Sequence, residues 1–504
     1  MRHCLTRQEV KPLAGIGFEL KKLFVGRGVI RRVRAYAYAA VICSGTMLLA
    51  ILLLLGIQAQ AKHFGMGEHT REVLVITMVY ALFLSMMMTS GFQMFLSRYV
   101  ADMMYQNNLG KVLPSLLGAS VALMVPGGVL YGFIISTAKE LTLLQKVLNW
   151  TLFIELIPVW LLMSYITAAK DYRAILTAFL LGVLVALAGG PVMIWLGVDA
   201  LTALMAALTV GYGIMLMGMM QVLLRYFPFG QGSPFGFIAW LSQTPDLLLT
   251  GFLSMAGAFV HIVIMWFSPL GSVVTGVYRQ AALFDSASFY AYLVTLPTNI
   301  NFIISVEVNF YTAYRAYFSA ITDGGTMPEI QLARARMERS LWQEISNLVV
   351  VQLFAMVVYM LVMRYWLVTI GFTSDMLHMF QLMCIGYTLY CLGTSLMLLQ
   401  LYFNDRRGAM ATAGAFFLAN VAGTLWSLRL GSLYYGIGVV VGGAAMYAIA
   451  LPRLMRYVRR IDYNVYCSQP VFNEAGHDRW KVLADRLEEI AARRRGARSG
   501  EQVK

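Results

Sequence analysis

Charged residues are scarce in this chain of 504 residues: Asp, Glu, Lys and Arg together make up 13% of it, about half of their share in a soluble protein. Hydrophobic residues account for 59%, and the mean hydropathy is +0.68. Apolar runs recur along the chain at about the 20 residues that an α-helix needs to cross a bilayer. These properties exclude an ordinary soluble protein and indicate a polytopic helical membrane protein.

Other absences narrow the function. The five cysteines and six histidines are scattered without zinc-ligand spacing or a disulfide framework, so we expect no metal or other cofactor. No G-x-x-x-x-G-K-[ST] phosphate loop occurs, which argues against a pump with its own ATP-driven motor. The longest predicted inner loop has no D-x-D pair for a nucleotide sugar, and no soluble segment has the size of a catalytic domain. We therefore predict that the protein is not an enzyme.

The apolar runs divide into two sets of six on either side of a proline- and glycine-rich stretch at residues 225–245. This predicts an all-α membrane protein with two six-helix lobes, at 35–224 and 246–455, and cytoplasmic tails at 1–34 and 456–504. We expect residues 225–245 to form a connector on the cytoplasmic surface. The predicted spans are 35–57, 73–97, 112–135, 148–168, 173–197, 200–224, 246–268, 283–307, 346–370, 376–402, 408–428 and 433–455.

The distribution of positive charge sets the orientation. With both ends cytoplasmic, 32 of the 39 Lys and Arg residues lie on the cytoplasmic side and 7 lie outside. Such an excess is typical of the inner loops of membrane proteins. The net charge of +14 therefore reflects topology and attraction to anionic lipid, and we expect no nucleic-acid partner.

Matching inner segments indicate a parallel repeat of six spans. The loop AKDYRAIL at 169–176 resembles FNDRRGAM at 403–410, and spans 2 and 8 both end in an aromatic-rich run with one arginine. We expect these residues at the cytoplasmic mouth of a path between the lobes. The matched residues are Asp171 with Asp405, Arg173 with Arg407 and Arg98 with Arg315.

Polar residues inside the spans are candidates for the substrate path, because burying them in a membrane is costly. Span 8 carries most of them, and Pro297 interrupts its backbone hydrogen bonds near the midplane. On an unbroken helix its polar side chains would share one face, which would suit the wall of a water-filled cavity. The candidates are Gln93, Glu155, His261, Asp285, Tyr292, Asn299, Glu307 and Tyr314.

Each ionisable candidate also has a purely structural interpretation. Glu155 could form a buried pair with Arg279 or another cation, and His261 could be a hydrogen-bonded core residue. Asp285 could simply lie at the interface, and Glu307 could pair with the arginine two turns later. Span 1 has no charged residue, which weighs against coupling to an ion gradient.

Three segments outside the spans have amphipathic patterns. Residues 14–34 predict an interfacial helix or, alternatively, a basic anchor. Residues 322–345 predict an amphipathic helix on the membrane surface or against a partner. A short amphipathic helix is expected at 480–490, followed by a disordered end.

The segments AGIGFELKKLF and RAYAYAAVICSGTML resemble the amino terminus of the PelG family, and SGFQMFLSRYVADMMY, VEVNFYTAYRAYFSAI and LYFNDRRGAM support the likeness over residues 13–460. This family exports Pel-type exopolysaccharide across the bacterial inner membrane and resembles the multidrug/oligosaccharidyl-lipid/polysaccharide exporter superfamily, which implies two lobes around a central cavity. The resemblance implies an amino-sugar polymer as substrate and a role in biofilms. It also implies three partners: a cytosolic glycosyltransferase, a membrane protein that senses cyclic di-GMP and a further membrane protein. Family members begin with Met before AGIGFEL, so we expect Leu13 to be an initiator read from a non-AUG codon.

The leading hypothesis is passage of a growing polymer between the lobes, with synthesis on the cytoplasmic side providing the push. A lipid-linked oligosaccharide flippase or an ion-coupled multidrug antiporter of the same superfamily is the main alternative. A membrane-embedded glycosyltransferase or polymerase and a scaffold that holds the synthase at the membrane are two more. Transport driven by a pH gradient without a synthase would identify an antiporter, and sugar transfer by the purified chain would identify an enzyme.

Overall fold

The computed structural model describes residues 29–168, 171–228, 230, 232–466 and 486, and at 29–39, 42, 43, 307, 308, 465 and 466 it describes the backbone alone. Within these ranges the fold is helical except for one hairpin of two antiparallel strands, β1 (Ser272–Thr275) and β2 (Tyr278–Gln280). The long helices in the first half are α1 (Val29–His63), α2 (Glu68–Tyr105), α3 (Val112–Ser136), α4 (Leu143–Ala168), α5 (Tyr172–Trp195) and α6 (Ala200–Tyr226). Those in the second half are α7 (Pro245–Trp266), α8 (residues 282–322), α9 (Met327–Thr369), α10 (Ser374–Tyr402), α11 (Arg406–Leu430) and α12 (Ile437–Arg459).

Eleven helices in the described part are long and apolar enough to cross a membrane, which confirms the predicted polytopic all-α fold. The exception is α8, whose predicted span at 283–307 is broken into pieces that are each shorter than a bilayer crossing. An α-helix at Ala282–Tyr292 leads into a 3-10 turn at Leu293–Thr295, an α-helix at Leu296–Ile304, a π-helix at Ser305–Phe310 and an α-helix at Tyr311–Thr322. The irregularity predicted at Pro297 is therefore part of a longer one. The single polar face was derived for a regular helix and stays a prediction.

Helix packing repeats with a period of six helices. In the first half, α5 packs against α1 and α6, and α4 packs against α2, α3 and α6. In the second half, α11 packs against α7 and α12, and α10 packs against α8, α9 and α12. Each of these pairs thus has its counterpart six helices later, as the predicted parallel repeat requires.

The two lobes meet along α2 and α7, and a second contact joins α1 to the middle of α8. Where α2 and α7 cross, a Cβ atom on Gly251 would lie 2.5 Å from the carbonyl oxygen of Ser90. A Cβ atom on Gly91 would lie 2.8 Å from the carbonyl oxygen of Leu248. Glycine at both positions therefore allows the two backbones to approach this closely.

The connector is packed more deeply than a segment that only lies on the surface. Phe227 and Phe237 are each 2% exposed. The carbonyl oxygen of Pro234 would lie 1.9 Å from a Cβ atom on Gly118 in α3, so the connector backbone rests directly on the first lobe. Its aromatic side chains explain this burial, because they remove more apolar surface from water than other residues do.

Helix α9 extends well beyond one membrane crossing. Its 43 residues span about 65 Å at 1.5 Å per residue, roughly twice the thickness of the hydrocarbon core. The predicted amphipathic segment forms its first half, and Met337, Leu341 and Ile345 are buried as their spacing predicted. Arg334 ties this part to the short helix Ile461–Tyr466, which follows α12, through an ion pair with Asp462.

Some predictions fall outside the described residues. These are the interfacial helix over its residues 14–28, the amphipathic helix at 480–490 apart from residue 486, and the end of the chain. Of the predicted interfacial segment, residues 29–34 form the beginning of α1.

Candidate transport path

A cleft of about 390 Å³ lies between the lobes at the end predicted to face the cytoplasm. It is formed by the lower part of α2, the connector, the first turn of α7 and the turn between α10 and α11. Most of its lining residues are polar, charged or aromatic. They are Met94, Ser97, Arg98, Ala101, Asp102, Trp240, Gln243, Thr244, Leu247, Leu401, Asn404 and Arg406.

One arginine from each lobe lines this cleft. Arg98 Nε lies 3.1 Å from a carboxylate oxygen of Asp102 one turn later, and Arg406 Nη1 donates a hydrogen bond of 2.9 Å to the carbonyl oxygen of Gln243. Arg98 was predicted at the cytoplasmic mouth. Arg407, the predicted counterpart in the second lobe, is exposed but does not line the cleft. The sequence match paired Arg173 with Arg407, two residues after Asp405, and so passed over Arg406, which directly follows Asp405.

Trp240 gives the cleft an aromatic wall. Its ring meets that of Tyr99 edge to face, with the centroids 5.8 Å apart. The side-chain amides of Gln243 and Asn404 also line the cleft, and Asn404 lies in the turn before α11. An aromatic ring beside a few amide and charged groups can contact the apolar side of a sugar ring and bind its hydroxyls.

The break in α8 is held by a glutamine of α9 that the sequence analysis did not single out. Gln352 is fully buried; its Nε2 donates to the carbonyl oxygen of Val294 (3.0 Å) and to Thr388 (3.2 Å). Its Oε1 accepts a hydrogen bond from Thr298. In a 3-10 helix the carbonyl oxygen of Val294 would accept a hydrogen bond from the backbone N–H three residues later. That residue is Pro297, which has no N–H, so Gln352 supplies the donor instead. The position of Gln352 inside the predicted span 346–370 was the one sequence feature that could have indicated its role.

The predicted residue Asn299 lies just beyond this break and is exposed. It belongs to the segment Leu296–Ile304, which contacts α1 of the other lobe. Nearby, Asn301 is buried, and its Nδ2 has no hydrogen-bond partner among the described residues. The segment of α8 that contacts the first lobe thus carries two amides.

His261 is buried inside the second lobe and has partners on both ring nitrogens. Its Nε2 lies 2.9 Å from the hydroxyl of Tyr387, which lies 2.7 Å from the hydroxyl of Ser288. The amide of Asn420 lies 3.2 Å from Nδ1 and also donates to the carbonyl oxygen of Gly257. Because an amide N–H donates to Nδ1, the neutral ring carries its proton on Nε2. At 1% exposure, His261 does not face an open cavity in this structure.

Two further candidates on α8 also have partners within the second lobe. The carboxylate of Asp285 accepts hydrogen bonds from Trp266 Nε1 (3.1 and 3.2 Å) and from the backbone N–H of Ala281 (3.0 Å). The ring of Tyr292 packs edge to face on Tyr387, with the centroids 5.3 Å apart. Both side chains therefore stabilise the second lobe around the first segment of α8, Ala282–Tyr292.

Glu155 has no ion-pair partner in the described part of the chain, and its Oε2 is buried without a hydrogen bond there. Gly213 faces it from α6, and a Cβ atom there would lie 3.5 Å from Oε1. Arg279, the suggested partner, instead donates from Nε to a carbonyl oxygen at the end of α7. The other candidate of the first lobe, Gln93, donates to Thr89 within α2 (3.0 Å).

The lower end of α8 packs into an aromatic cluster. The ring of Tyr314 lies 4.7 Å from Tyr402 and 5.8 Å from Phe403, measured between centroids. Arg315 beside it is exposed. The side chain of Glu307 lies outside the described residues, so its role and its suggested pair with Arg315 stay predictions.

The two matched aspartates cap equivalent helices. Asp171 accepts a hydrogen bond from the backbone N–H three residues later at the start of α5 (3.1 Å), and Asp405 does the same at the start of α11 (2.9 Å). Each is also tied to the last helix of its own lobe, Asp171 by the hydroxyl of Tyr226 (2.7 Å) and Asp405 by Arg453 (2.9 and 3.1 Å). Arg173 is exposed. The repeated motif thus has a structural role at the ends of both lobes that are predicted to face the cytoplasm.

Comparisons with known proteins agree with this architecture. An outward-facing multidrug resistance MATE family transporter of the MOP superfamily aligns with a TM-score of 0.58 at 14% identity, over 88% of this chain and 98% of its own. An inward-facing structure of the same description gives 0.55 at 13% identity, over 90% and 99%. A MOP superfamily transporter from Pyrococcus furiosus, titled as having a binding pocket of reverse polarity, gives 0.52 at 12%, over 87% and 98%.

At these identities the likeness concerns the fold alone. No curated protein matches the chain. The model of the PelG family, described as "Putative exopolysaccharide Exporter (EPS-E)", matches residues 13–466. Because this match covers nearly the whole sequence, the chain belongs to the PelG family of exopolysaccharide exporters.

Proposed function

We propose that this chain exports a growing exopolysaccharide, an amino-sugar polymer of the Pel type, across the bacterial inner membrane along the contact between its lobes. The cleft at the cytoplasmic end carries the proposal, because it joins both lobes and the connector and combines an aromatic ring with amide, carboxylate and guanidinium groups. A neutral or weakly charged sugar chain needs such contacts. Several weak ones in succession let a polymer slide, whereas one tight site would hold it.

The same cleft faces the side on which the polymer is made. We propose that a cytosolic glycosyltransferase docks near the connector and supplies the nascent chain, with elongation as the driving force. A membrane protein that senses cyclic di-GMP and a further membrane protein would complete the complex. The first half of α9, held by Arg334 and a capping box at Thr326, offers a rigid surface for such partners.

Replacement of Trp240 tests the path. In a bacterium that secretes the polymer, Trp240→Ala should lower secretion about fivefold at equal membrane level, since an aromatic contact of about 1 kcal/mol corresponds to that factor. Trp195→Ala is the matched control, because Trp195 ends α5 away from the cleft and is 89% exposed. A strain without the protein sets the baseline. Equal secretion from the two variants would remove the cleft from the path.

One observation favours a second function, ion-coupled antiport. Glu155 is a membrane-embedded carboxylate that has no partner within the described ranges, and such a group is a site where a proton or cation can bind. In vesicles that contain the purified chain alone, an antiporter would move a fluorescent cationic drug in response to a pH gradient. Glu155→Gln would abolish that movement. Transport of this kind without any synthase would replace the polymer-export proposal.

A further inference from the structure

The hairpin β1–β2 joins α7 to α8 in the second lobe, yet it packs on α2 of the first lobe. It lies at the end of the lobes opposite the cleft, which is the outer end by the charge distribution. The sequence patterns assign no role to it. Its contacts cross the boundary between the lobes at two separate places.

Tyr80 of α2 makes the first contact. Its hydroxyl donates to the carbonyl oxygen of Arg279 (3.0 Å) and accepts from the backbone N–H of the same residue (3.0 Å). Its ring stacks on Trp266 of α7 with a centroid distance of 4.8 Å and an interplanar angle of 14°. Tyr278, fully buried in the hairpin, packs on it from another side at 4.8 Å. One side chain of the first lobe is thus enclosed by the second.

The second lobe holds these groups as one unit. Arg279 Nε donates to the carbonyl oxygen of Trp266 (3.1 Å), and its guanidinium lies 5.2 Å from the ring centre of Phe267. Asp285, at the start of α8, accepts from the indole N–H of Trp266 and from the backbone after the hairpin. Hairpin, indole and the first turn of α8 are therefore linked within one lobe, whereas Tyr80 reaches them from the other.

The hairpin tip makes the second contact, at the end of α3. The backbone N–H of Val277 donates to the hydroxyl oxygen of Thr137 (3.3 Å). Gly276 has φ of +54°, and a Cβ atom there would lie 2.5 Å from the carbonyl oxygen of Thr137. The turn thus needs glycine both for its left-handed backbone and for the close approach.

We propose that the hairpin, Tyr80 and Trp266 form a latch that closes the outer end of the path between the lobes, and that the polymer leaves only while this latch is open. The inference rests on the proposed export function. Its contacts suit a latch: two hydrogen bonds and ring contacts join preformed surfaces, and the Arg279 backbone can bind water when Tyr80 withdraws. The cleft between the lobes lies at the opposite end of the same structure, away from the hairpin.

A reversible covalent lock tests the latch. Thr137→Cys with Val277→Cys places one thiol on each lobe at the hairpin tip, and oxidation of intact cells of a polymer-producing strain should join them. Secretion should then fall to the level of a strain without the protein and return after reduction. Each single-cysteine variant is treated in parallel, because the chain has five native cysteines that could also react. Secretion that persists when nearly all of the protein is cross-linked would show that the hairpin is a static brace.

A second readout does not depend on export. Tyr80→Phe removes both hydrogen bonds to Arg279 and keeps the ring, so the latch should open more often and the two cysteines should cross-link more slowly. Tyr359→Phe is the matched control, since its hydroxyl donates to the carbonyl oxygen of Tyr290 within one lobe (2.6 Å). Equal cross-linking rates in the two backgrounds would overturn the latch. A different outcome would contradict the proposed export function itself. In that case, a strain with the protein not cross-linked would secrete no more polymer than a strain without the protein, whatever the cross-linking rates are.

Discussion

Replacement of Gln352 by leucine should destabilise the second lobe without changing its apolar packing much. Leucine is similar in size to glutamine, so the substitution removes mainly hydrogen bonds. The carbonyl oxygen of Val294 and the hydroxyls of Thr298 and Thr388 all lose their amide partner. Each of these residues is at most 1% exposed, so water cannot take the place of the amide without opening the lobe.

The expected cost follows from these three contacts. A hydrogen bond between membrane helices contributes about 0.6 kcal/mol on average and up to about 1.7 kcal/mol. Three of them amount to about 2 kcal/mol, and a buried carbonyl left unpaired adds about 1 kcal/mol or more. We therefore expect Gln352→Leu to lower the free energy of unfolding by about 2–4 kcal/mol.

The assay is unfolding in mixed micelles of mild detergent and dodecyl sulfate, followed by tryptophan fluorescence. Gln343→Leu is the matched control, because Gln343 lies on the same helix but is exposed. Thr298→Val completes a double-mutant cycle, and the two changes together should cost less than their sum because they share one hydrogen bond. If Gln352→Leu and Gln343→Leu unfold at the same dodecyl sulfate fraction, the proposed support of the α8 break is wrong.

Three further substitutions test other contacts. Asp171→Ala should cost about 1 kcal/mol of stability through the lost helix cap, while Asp171→Asn should keep most of it, and thermal melting in detergent separates them. Arg453→Ala leaves the buried carboxylate of Asp405 without its ion-pair partner and should cost about 1–3 kcal/mol of stability. The cost is smaller than for a fully buried pair because Arg453 is 42% exposed. We expect the variant to have a lower melting temperature, and we expect that high salt does not lower the melting temperature of the native protein to the same extent. Gly251→Ala forces α2 and α7 apart and should cost about 1–3 kcal/mol of stability. Gly414→Ala is the control and should be neutral, because the nearest atom to a Cβ there is 3.8 Å away. Equal melting temperatures of the two variants would contradict the close crossing of α2 and α7.

The sequence was sufficient to predict the helical architecture because membrane crossing depends on local properties. Length and apolarity of each run define a span, and the positive charges of adjacent loops define its direction. The repeat was visible because Asp171 and Asp405 cap equivalent helices, a role that depends only on neighbouring backbone. These features need no knowledge of distant contacts.

The arrangement of the candidate site needed the folded chain. Pro297 indicates one irregularity in α8, but no residue pattern marks the π-helix at Ser305–Phe310. Gln352 could not be singled out as a support of the break in α8, because its partners Val294, Thr298 and Thr388 lie on other helices and far from it in the sequence. The partner of Tyr80 lies 199 residues away in the sequence, which no local pattern can indicate.

The parallel repeat has a consequence for directionality. Two copies with an even number of crossings start and end on the same side, so their approximate two-fold axis runs along the membrane normal. Rotation about this axis exchanges the lobes but never the two faces of the membrane. Inverted repeats can generate inward- and outward-open forms by exchanging the conformations of their halves, and this route is absent here. The direction of transport must therefore come from features that distinguish the two ends of the protein, of which the hairpin at one end and the connector at the other are the clearest.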